Sequence, residues 1–216
     1  MDYESHRLAM VEEQLRGRDI HDFRVLNAME RIPRHEFIPE EMRHLAYRDQ
    51  AVAIGNNQTI SQPYVIALML QMLQLSGHEI VLEVGTGSGY QTALLCDLVA
   101  QVYTIEYHAA LAESAANRLA TLQYSNYELH VGDGSQGLAD MGPYDAIIVG
   151  ACAPSIPGPL RAQLRPMNGR LILPVGNLMR QHLQIVKRDF DRWHTETLIG
   201  VRFVPLVGRY GFSKGN

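Results

Sequence analysis

The 216-residue sequence predicts an α/β fold: a mostly parallel sheet with helices on both faces, a helical N-terminal extension and a C-terminal antiparallel hairpin. Three observations predict it. From residue 79, short apolar runs alternate with stretches of helical periodicity, the rhythm of strands joined by crossover helices. The first of those runs ends in a glycine-rich turn, Gly85-Thr86-Gly87-Ser88-Gly89, which opens a helical stretch. The last two runs, 182–187 and 197–204, leave no room between them for a crossover helix, so they pair antiparallel at the sheet's edge.

Taken in order, residues 5–17 form the first predicted helix, with Leu8, Val11 and Leu15 on one face. A second covers 21–31 and stops before Pro33. The connector Arg31-Ile32-Pro33-Arg34-His35-Glu36-Phe37-Ile38-Pro39 is broken by prolines. Residues 62–75 carry Val65, Leu68, Met69, Met72 and Leu73 at helical spacing. Strand 80–84, helix 90–99, strand 102–106, helix 108–122 and strands 127–131 and 146–149 follow. Pro154, Pro157 and Pro159 shape a loop and start a helix near 158–165, before a strand at 170–175. Trp193 falls in the expected hairpin turn.

Composition narrows the function. The chain is long enough for one domain with a sizeable core, and no internal repeat or low-complexity linker divides it. A net charge of -4 provides no long-range basic field for nucleic acid or an anionic membrane, and no apolar run reaches membrane-spanning length. Two cysteines, Cys96 and Cys152, are too few for a disulfide framework, and both are expected to pack. The nine histidines lack the spacing of a metal motif, so no metal site is expected. Cytoplasmic residence is the default, and a monomer is expected.

The glycine turn is the most informative stretch. Glycines let the backbone bend sharply and a ligand approach closely, and the free N–H groups of the following helix face that ligand. A dinucleotide fingerprint spaces its glycines G-x-G-x-x-G. Here Gly85, Gly87 and Gly89 are spaced G-x-G-x-G, with Glu83 just before them. A carboxylate there opposes a pyrophosphate and suits a ligand with a positive ammonium and sulfonium, as in S-adenosyl-L-methionine. Glu106 ends the next strand, where an acidic side chain accepts ribose hydroxyls. Asp133-Gly134 follows the third strand, within reach of an adenine amino group. Singly, these are tight packing, a solvated strand end and an ordinary turn. Together, at the ends of three successive strands, they point to an adenosyl cofactor and methyl transfer. A nicotinamide-dependent oxidoreductase is disfavoured by the glycine spacing and Glu83.

Several segments carry a resemblance that spans nearly the whole chain. They are the connector 31–39, Gly55-Asn56-Asn57-Gln58-Thr59-Ile60-Ser61-Gln62-Pro63, the glycine loop with Glu83, Val131-Gly132-Asp133-Gly134, Pro143-Tyr144-Asp145-Ala146-Ile147-Ile148-Val149, Leu173-Pro174-Val175-Gly176, and Val201-Arg202-Phe203-Val204-Pro205-Leu206. The sequence resembles the protein-L-isoaspartate O-methyltransferases. The resemblance implies a Rossmann-like class I S-adenosyl-L-methionine methyltransferase. It implies methylation of the free carboxylate of L-isoaspartyl residues, and less well of D-aspartyl ones, in damaged proteins; the ester then collapses through a succinimide towards normal aspartate. It makes Ser61 the active-site residue, has Gln58, Thr59 and Ile60 close over the cofactor, and has Glu83, the loop Gly85 to Gly89, Glu106, Asp133 and Gly134 contact it. The backbone of the final segment helps hold the substrate peptide. The chain then divides into 1–61, a helical extension and active-site loop, 62–176, a cofactor-binding core, and 177–216, a β tail.

Many members have glycine where this chain has Asn57, the residue type next most tolerant of a positive φ. Ser61 has a second reading as the N-cap of the helix that follows, with Pro63 in the first turn, and the two roles are compatible. The other functional readings are a carboxyl methyltransferase with a dedicated peptide or small-molecule acceptor, and a non-catalytic adaptor that binds cofactor without turnover. Finally, Asn168-Gly169 is a deamidation-prone pair that makes the chain a candidate for the damage it would repair.

Overall fold

The computed structural model describes residues 2–213. Asp2 caps the first helix, α1 (Tyr3–Ala9), by accepting from the Ser5 N–H at 3.1 Å. The helix continues through wider π turns over Met10–Arg16. Those turns shift the helical phase, so Met10, Val11 and Leu15 are buried while Leu8 stays exposed, in place of the expected Leu8–Val11–Leu15 face. Helix α2 (Phe23–Arg31) starts two residues later than expected, because the Asp22 carboxylate accepts from the Arg24 and Val25 N–H groups. The proline connector forms two short 3-10 turns, Arg34–Phe37 and Glu40–Leu45.

A small antiparallel hairpin follows, β1 (Val52–Gly55) and β2 (Gln58–Ile60), which periodicity did not disclose. Its tip is Asn56-Asn57, with φ of 50° and 55° at the two positions, the left-handed pair that a tight hairpin requires. Helix α3 (Pro63–Met72) is capped at Gln62 without a side-chain bond, so Ser61 is not the N-cap that the sequence reading allowed; it lies one residue outside. Buried residues run continuously from Val65 to Leu70, making α3 a core helix.

The main sheet comprises β3 (Ile80–Val84), β4 (Gln101–Glu106), β5 (Tyr127–Val131), β6 (Ala146–Val149), β7 (Met167–Gly176), β8 (Gln181–Asp189) and β9 (Arg192–Val201). Helices α4 (Tyr90–Leu98), α5 (Ala109–Thr121) and α6 (Gly158–Ala162) connect its parallel part. The order is β5-β4-β3-β6-β7-β8-β9, parallel from β5 to β7 and antiparallel thereafter. From β3 the chain steps first to β4 and β5 and then crosses to β6 on the other side. That reversal opens a crevice at the carboxyl ends of β3, β4 and β6.

Period-2 alternation divides the core. Val81, Val102, Ala146, Ile148 and Ile172 join the cluster of α1 to α4 on one face. Leu82, Val84, Ile147, Val149, Leu171 and Leu173 pack on the other. The tail departs from expectation in register. Strand β9 begins at Arg192 and ends at Val201, and the turn is Phe190-Asp191, so Trp193 lies in the strand opposite Arg188. Its ring lies between the Arg161 and Arg188 guanidiniums, 4.4 and 5.0 Å from the centroid. The first half of β9 is mostly exposed and polar, which hides it from an apolar-run reading. Beyond Val201 the chain leaves the sheet and crosses the loop after β6: Cys152 N–H donates to the Val204 carbonyl and Leu206 N–H to the Cys152 carbonyl. Among the described residues no helix is long and apolar enough to cross a membrane.

Candidate active site

The turn between β3 and α4 holds Gly85, Gly87 and Gly89 at φ of 92°, 56° and 88°, a run of left-handed backbone that side chains disfavour. Beneath it, Glu83 is fully buried on the α4 face of β3. Its carboxylate accepts from Gln91 Nε2 at 3.0 Å, Thr92 Oγ1 at 2.5 Å and Thr104 Oγ1 at 2.7 Å. With the Thr104 hydroxyl donating to Glu83, Thr86 Oγ1 donates in turn to Thr104 at 2.7 Å, which ties the loop to the carboxylate below it. Burial pushes the Glu83 carboxyl up to about 7; the three hydrogen bonds pull the other way, and the nearby Glu106 charge adds to the rise.

Glu106 closes β4 and is itself nearly buried. Its two oxygens accept from the Gly87 N–H and the His108 N–H, each at 2.9 Å. The carboxylate thus braces the glycine loop and faces the crevice. Asp133 follows β5 and accepts from Ser135 N–H at 3.0 Å, Ser135 Oγ at 2.6 Å, Gln136 Nε2 at 3.1 Å and Arg209 N–H at 2.8 Å. Burial alone would raise this carboxyl; the Arg209 and Ser135 bonds outweigh it and hold the group below its ordinary value. At Gly134, a Cβ would lie 2.5 Å from Val84 Cγ1, so only glycine lets the chain pass close to β3 there.

Two spaces meet around this frame. The cleft at the strand ends is lined by Gln58, Thr59, Gly85, Gly87, Glu106 and Gly134 of the residues singled out in the sequence, together with Val84, Ile105, His108, Gly150, Ala151 and the crossing segment 204–207. Of the others, Glu83, Thr86, Ser88, Gly89, Ile60 and Asp133 stand behind this wall and do not line it. The enclosed volume is about 70 Å³. Beside it runs an open groove of about 790 Å³, bordered by Ser61, Gln62, Tyr64 and Val65 on one side and by residues 179–182 and 199–203 on the other. Thr59 belongs to both walls.

Ser61 is positioned by a residue that sequence reasoning left in the connector. Arg34 is completely buried, donates from Nε to the Ala46 carbonyl at 2.8 Å and from Nη2 to the Ser61 carbonyl at 2.7 Å, and lies over the Tyr90 ring. Burial lowers its pKa to about 10, so it stays charged at neutral pH. Arg34 gave no chemical signal in the sequence beyond its place in the proline-broken connector. The resemblance marked 201–206 as a substrate-side segment, but not that 204–207 and Gly150-Ala151 line the cleft, which arises from the tail folding back over the β6 loop. Cys152 is buried with its thiol pushed up to about 11 by burial, and Cys96 is likewise buried; both are free. Among the described residues no group of three His, Cys, Asp or Glu side chains could hold a metal ion.

Comparison with known proteins bears on this arrangement. The family model described as protein-L-isoaspartate(D-aspartate) O-methyltransferase matches residues 5–211. The chain is 50% identical over 213 residues to the protein-L-isoaspartate O-methyltransferase of Roseiflexus sp. (strain RS-1), covering 99% of this chain and 97% of that one. It is 51% identical over 213 residues to the enzyme of that name from Roseiflexus castenholzii, with the same coverage. A solved protein-L-isoaspartate O-methyltransferase superposes with a TM-score of 0.85 at 25% identity, covering 96% of this chain and 67% of that one. A Plasmodium falciparum structure in complex with S-adenosyl-L-homocysteine superposes with a TM-score of 0.81 at 27% identity, covering 93% and 98%. A sheet that reverses beside a glycine loop, an acidic strand end at Glu106, and a match along almost its entire length place this chain in the protein-L-isoaspartate(D-aspartate) O-methyltransferase family.

Proposed function

We propose that this enzyme transfers a methyl group from S-adenosyl-L-methionine to the free carboxylate of L-isoaspartyl, and less well D-aspartyl, residues in damaged proteins. The observation that carries this reading is the shared Thr59 wall, which sets the glycine- and Glu106-lined cleft at the strand ends against an open groove bordered by Ser61. The residues present fit an adenosyl group. Glu106 offers a carboxylate at the cleft, Gly85 and Gly134 keep the approach free of side chains, and Val84, Ile105 and Leu206 give apolar walls. The cleft's 70 Å³ is below the roughly 300–1,000 Å³ of a ligand pocket, so on this reading its walls widen to admit the cofactor.

The bound cofactor supplies an electrophilic methyl on a sulfonium. The chain's own residues bind, orient and exclude water. An acceptor carboxylate is already ionised at neutral pH and needs no general base. The Ser61 hydroxyl donates a hydrogen bond to that carboxylate and fixes its direction, while Arg34 holds the Ser61 backbone from behind. Gln58, Thr59 and Ile60 close over the cofactor and shield the reacting atoms from solvent. Glu106 receives the ribose hydroxyls. Gly85, Gly87 and Gly134 lie against the cofactor; Glu83, Thr86, Ser88, Gly89 and Asp133 hold their shape and charge.

On this reading residues 1–61 carry the active-site hairpin, 62–176 the cofactor-binding core and 177–216 the far wall of the groove. A working monomer is part of this reading. Two free buried cysteines suit the reducing cytoplasm. The test is transfer of labelled methyl to a synthetic peptide with one L-isoaspartate, with the normal aspartyl peptide as control. Base-labile label on the isoaspartyl peptide alone is expected. Cofactor binding by calorimetry without label on either peptide would turn the reading towards a dedicated acceptor or an adaptor.

A further inference from the structure

Resting on that function, we propose that Arg180 and Arg202 make the acceptor groove selective for isoaspartyl sites flanked by acidic side chains. The chain as a whole carries a net charge of -4, yet the charged side chains lining the groove are Arg18, Arg180 and Arg202, with His182 beside them and no carboxylate. Arg18 is already compensated. It pairs with Asp49 at 2.5 Å and lies over the Tyr64 ring. Arg180 and Arg202 are both exposed, and neither side chain has a hydrogen bond or ion pair among the described residues.

Their placement is set by the backbone. In the β8–β9 ladder Gln181 pairs with Val201 and His182 with Gly200, so Arg180 enters β8 and Arg202 leaves β9 at the same end of the ladder, each one residue beyond its last pair. Like charges brought to one rim of a groove repel. The arrangement is nevertheless held firmly. Asn177 Oδ1 accepts from the Met179 and Arg180 N–H groups at 2.8 Å each, which fixes the turn. The Gln181 side chain clamps the other strand, accepting from Phe203 N–H at 2.7 Å and donating to its carbonyl at 3.1 Å. Two unpaired cations lining one groove, with no carboxylate among its walls, favour an anionic occupant. The occupant on this face is a peptide whose isoaspartyl carboxylate is directed to Ser61, so the carboxylates that reach Arg180 and Arg202 are those of its neighbours. Lysine or arginine at the same flanks would add a third cation to the pair.

The experiment uses the whole enzyme and three peptides that share one isoaspartyl core, with glutamate, alanine or lysine within two residues of it. At low ionic strength kcat/KM is expected to be at least tenfold higher for the glutamate peptide than for the lysine peptide, through KM and not kcat. The ratio should shrink towards one in about 0.5 M salt, where screening shortens the range of exposed charges to a few Å. In the Arg180→Ala/Arg202→Ala double variant the glutamate-to-lysine ratio should fall close to one even at low salt. Because that ratio compares peptides within one preparation, partial loss of folded protein does not alter it. Turnover of the alanine peptide with no acidic preference, or a preference that survives in the double variant, overturns the assignment of the two arginines while the methyltransfer reading stands. No turnover of any of the three peptides overturns both.

Discussion

At the scale of single residues, the candidate site separates into side chains that line the two spaces and side chains that stand behind them. On the proposed mechanism, Ser61→Ala removes one hydrogen bond to a charged acceptor, an interaction of about 1.5–3 kcal/mol. Turnover should fall roughly 10- to 150-fold while calorimetric cofactor affinity stays within a factor of about two; an unchanged rate would remove the hydroxyl from the mechanism. Glu106→Ala should act in the opposite sense and weaken cofactor binding by ~1.5–3 kcal/mol, because it removes the proposed acceptor for ribose and also frees the Gly87 and His108 N–H groups. Equal affinity in the variant and the parent would defeat that assignment. The glycine loop, Glu106 and Gly134 were legible in the sequence because strand ends are legible and chemistry collects there. The position of Glu83 below the loop was not, since a one-residue alternation decides whether a strand-end carboxylate faces the cleft or the helix. Arg34 was equally obscure. Its role depends on where the Ser61 carbonyl comes to rest, 27 residues downstream.

At the scale of elements, periodicity gave the strands 80–84 and 146–149 to the residue, because buried parallel strands are mostly continuous apolar runs, and it gave the partly exposed edge strand 127–131 by its alternation. It failed where burial is one-sided or absent. The β1–β2 hairpin is four residues against three and partly exposed, and the start of β9 is polar. The hairpin's tip does carry a local signal. Both Asn56 and Asn57 are left-handed, which Asn tolerates and β-branched residues do not. Asn57→Gly should therefore leave thermal stability within a few tenths of a kcal/mol, whereas Asn57→Val should cost about 1–2 kcal/mol and depress turnover along with it. Matching melting temperatures for the two variants would show that the turn does not constrain the hairpin.

At the scale of the whole molecule, one buried carboxyl sets a pH dependence. Glu83 titrates near 7 when folded and near its ordinary, lower value when unfolded, so the native state binds more protons in between. Stability from this group is full below the unfolded value and is lost as pH rises through about 7, a change on the order of 3 kcal/mol. Glu79 acts at the other end. Burial would raise it, but the Ser76 and Gly77 hydrogen bonds hold it at about 2, so its contribution is present above the ordinary carboxylate value and lost only as pH falls towards 2. In Glu83→Gln the slope between pH 5 and 7.5 should largely vanish while the acid limb remains. Urea midpoints that differ from the parent by the same amount at both pH values would refute the assignment.

The same architecture bears on how the enzyme ages. Asn168 stands exposed at a left-handed φ of 59° at the start of β7, next to Gly169, where the strand register already slips. Strand β7 then runs eight residues to Gly176, roughly 25 Å, before its turn reaches the groove. An isoaspartate formed at 168 therefore lies at the pole of the sheet opposite Ser61, beyond the reach of its own groove. No copy can mend itself; each depends on meeting another. Upkeep of the pool becomes a bimolecular process whose rate falls with dilution, and peptide mapping of samples aged with cofactor at two protein concentrations should find more damage at 168 in the dilute one. A scarce repair enzyme, on this geometry, wears out faster than an abundant one.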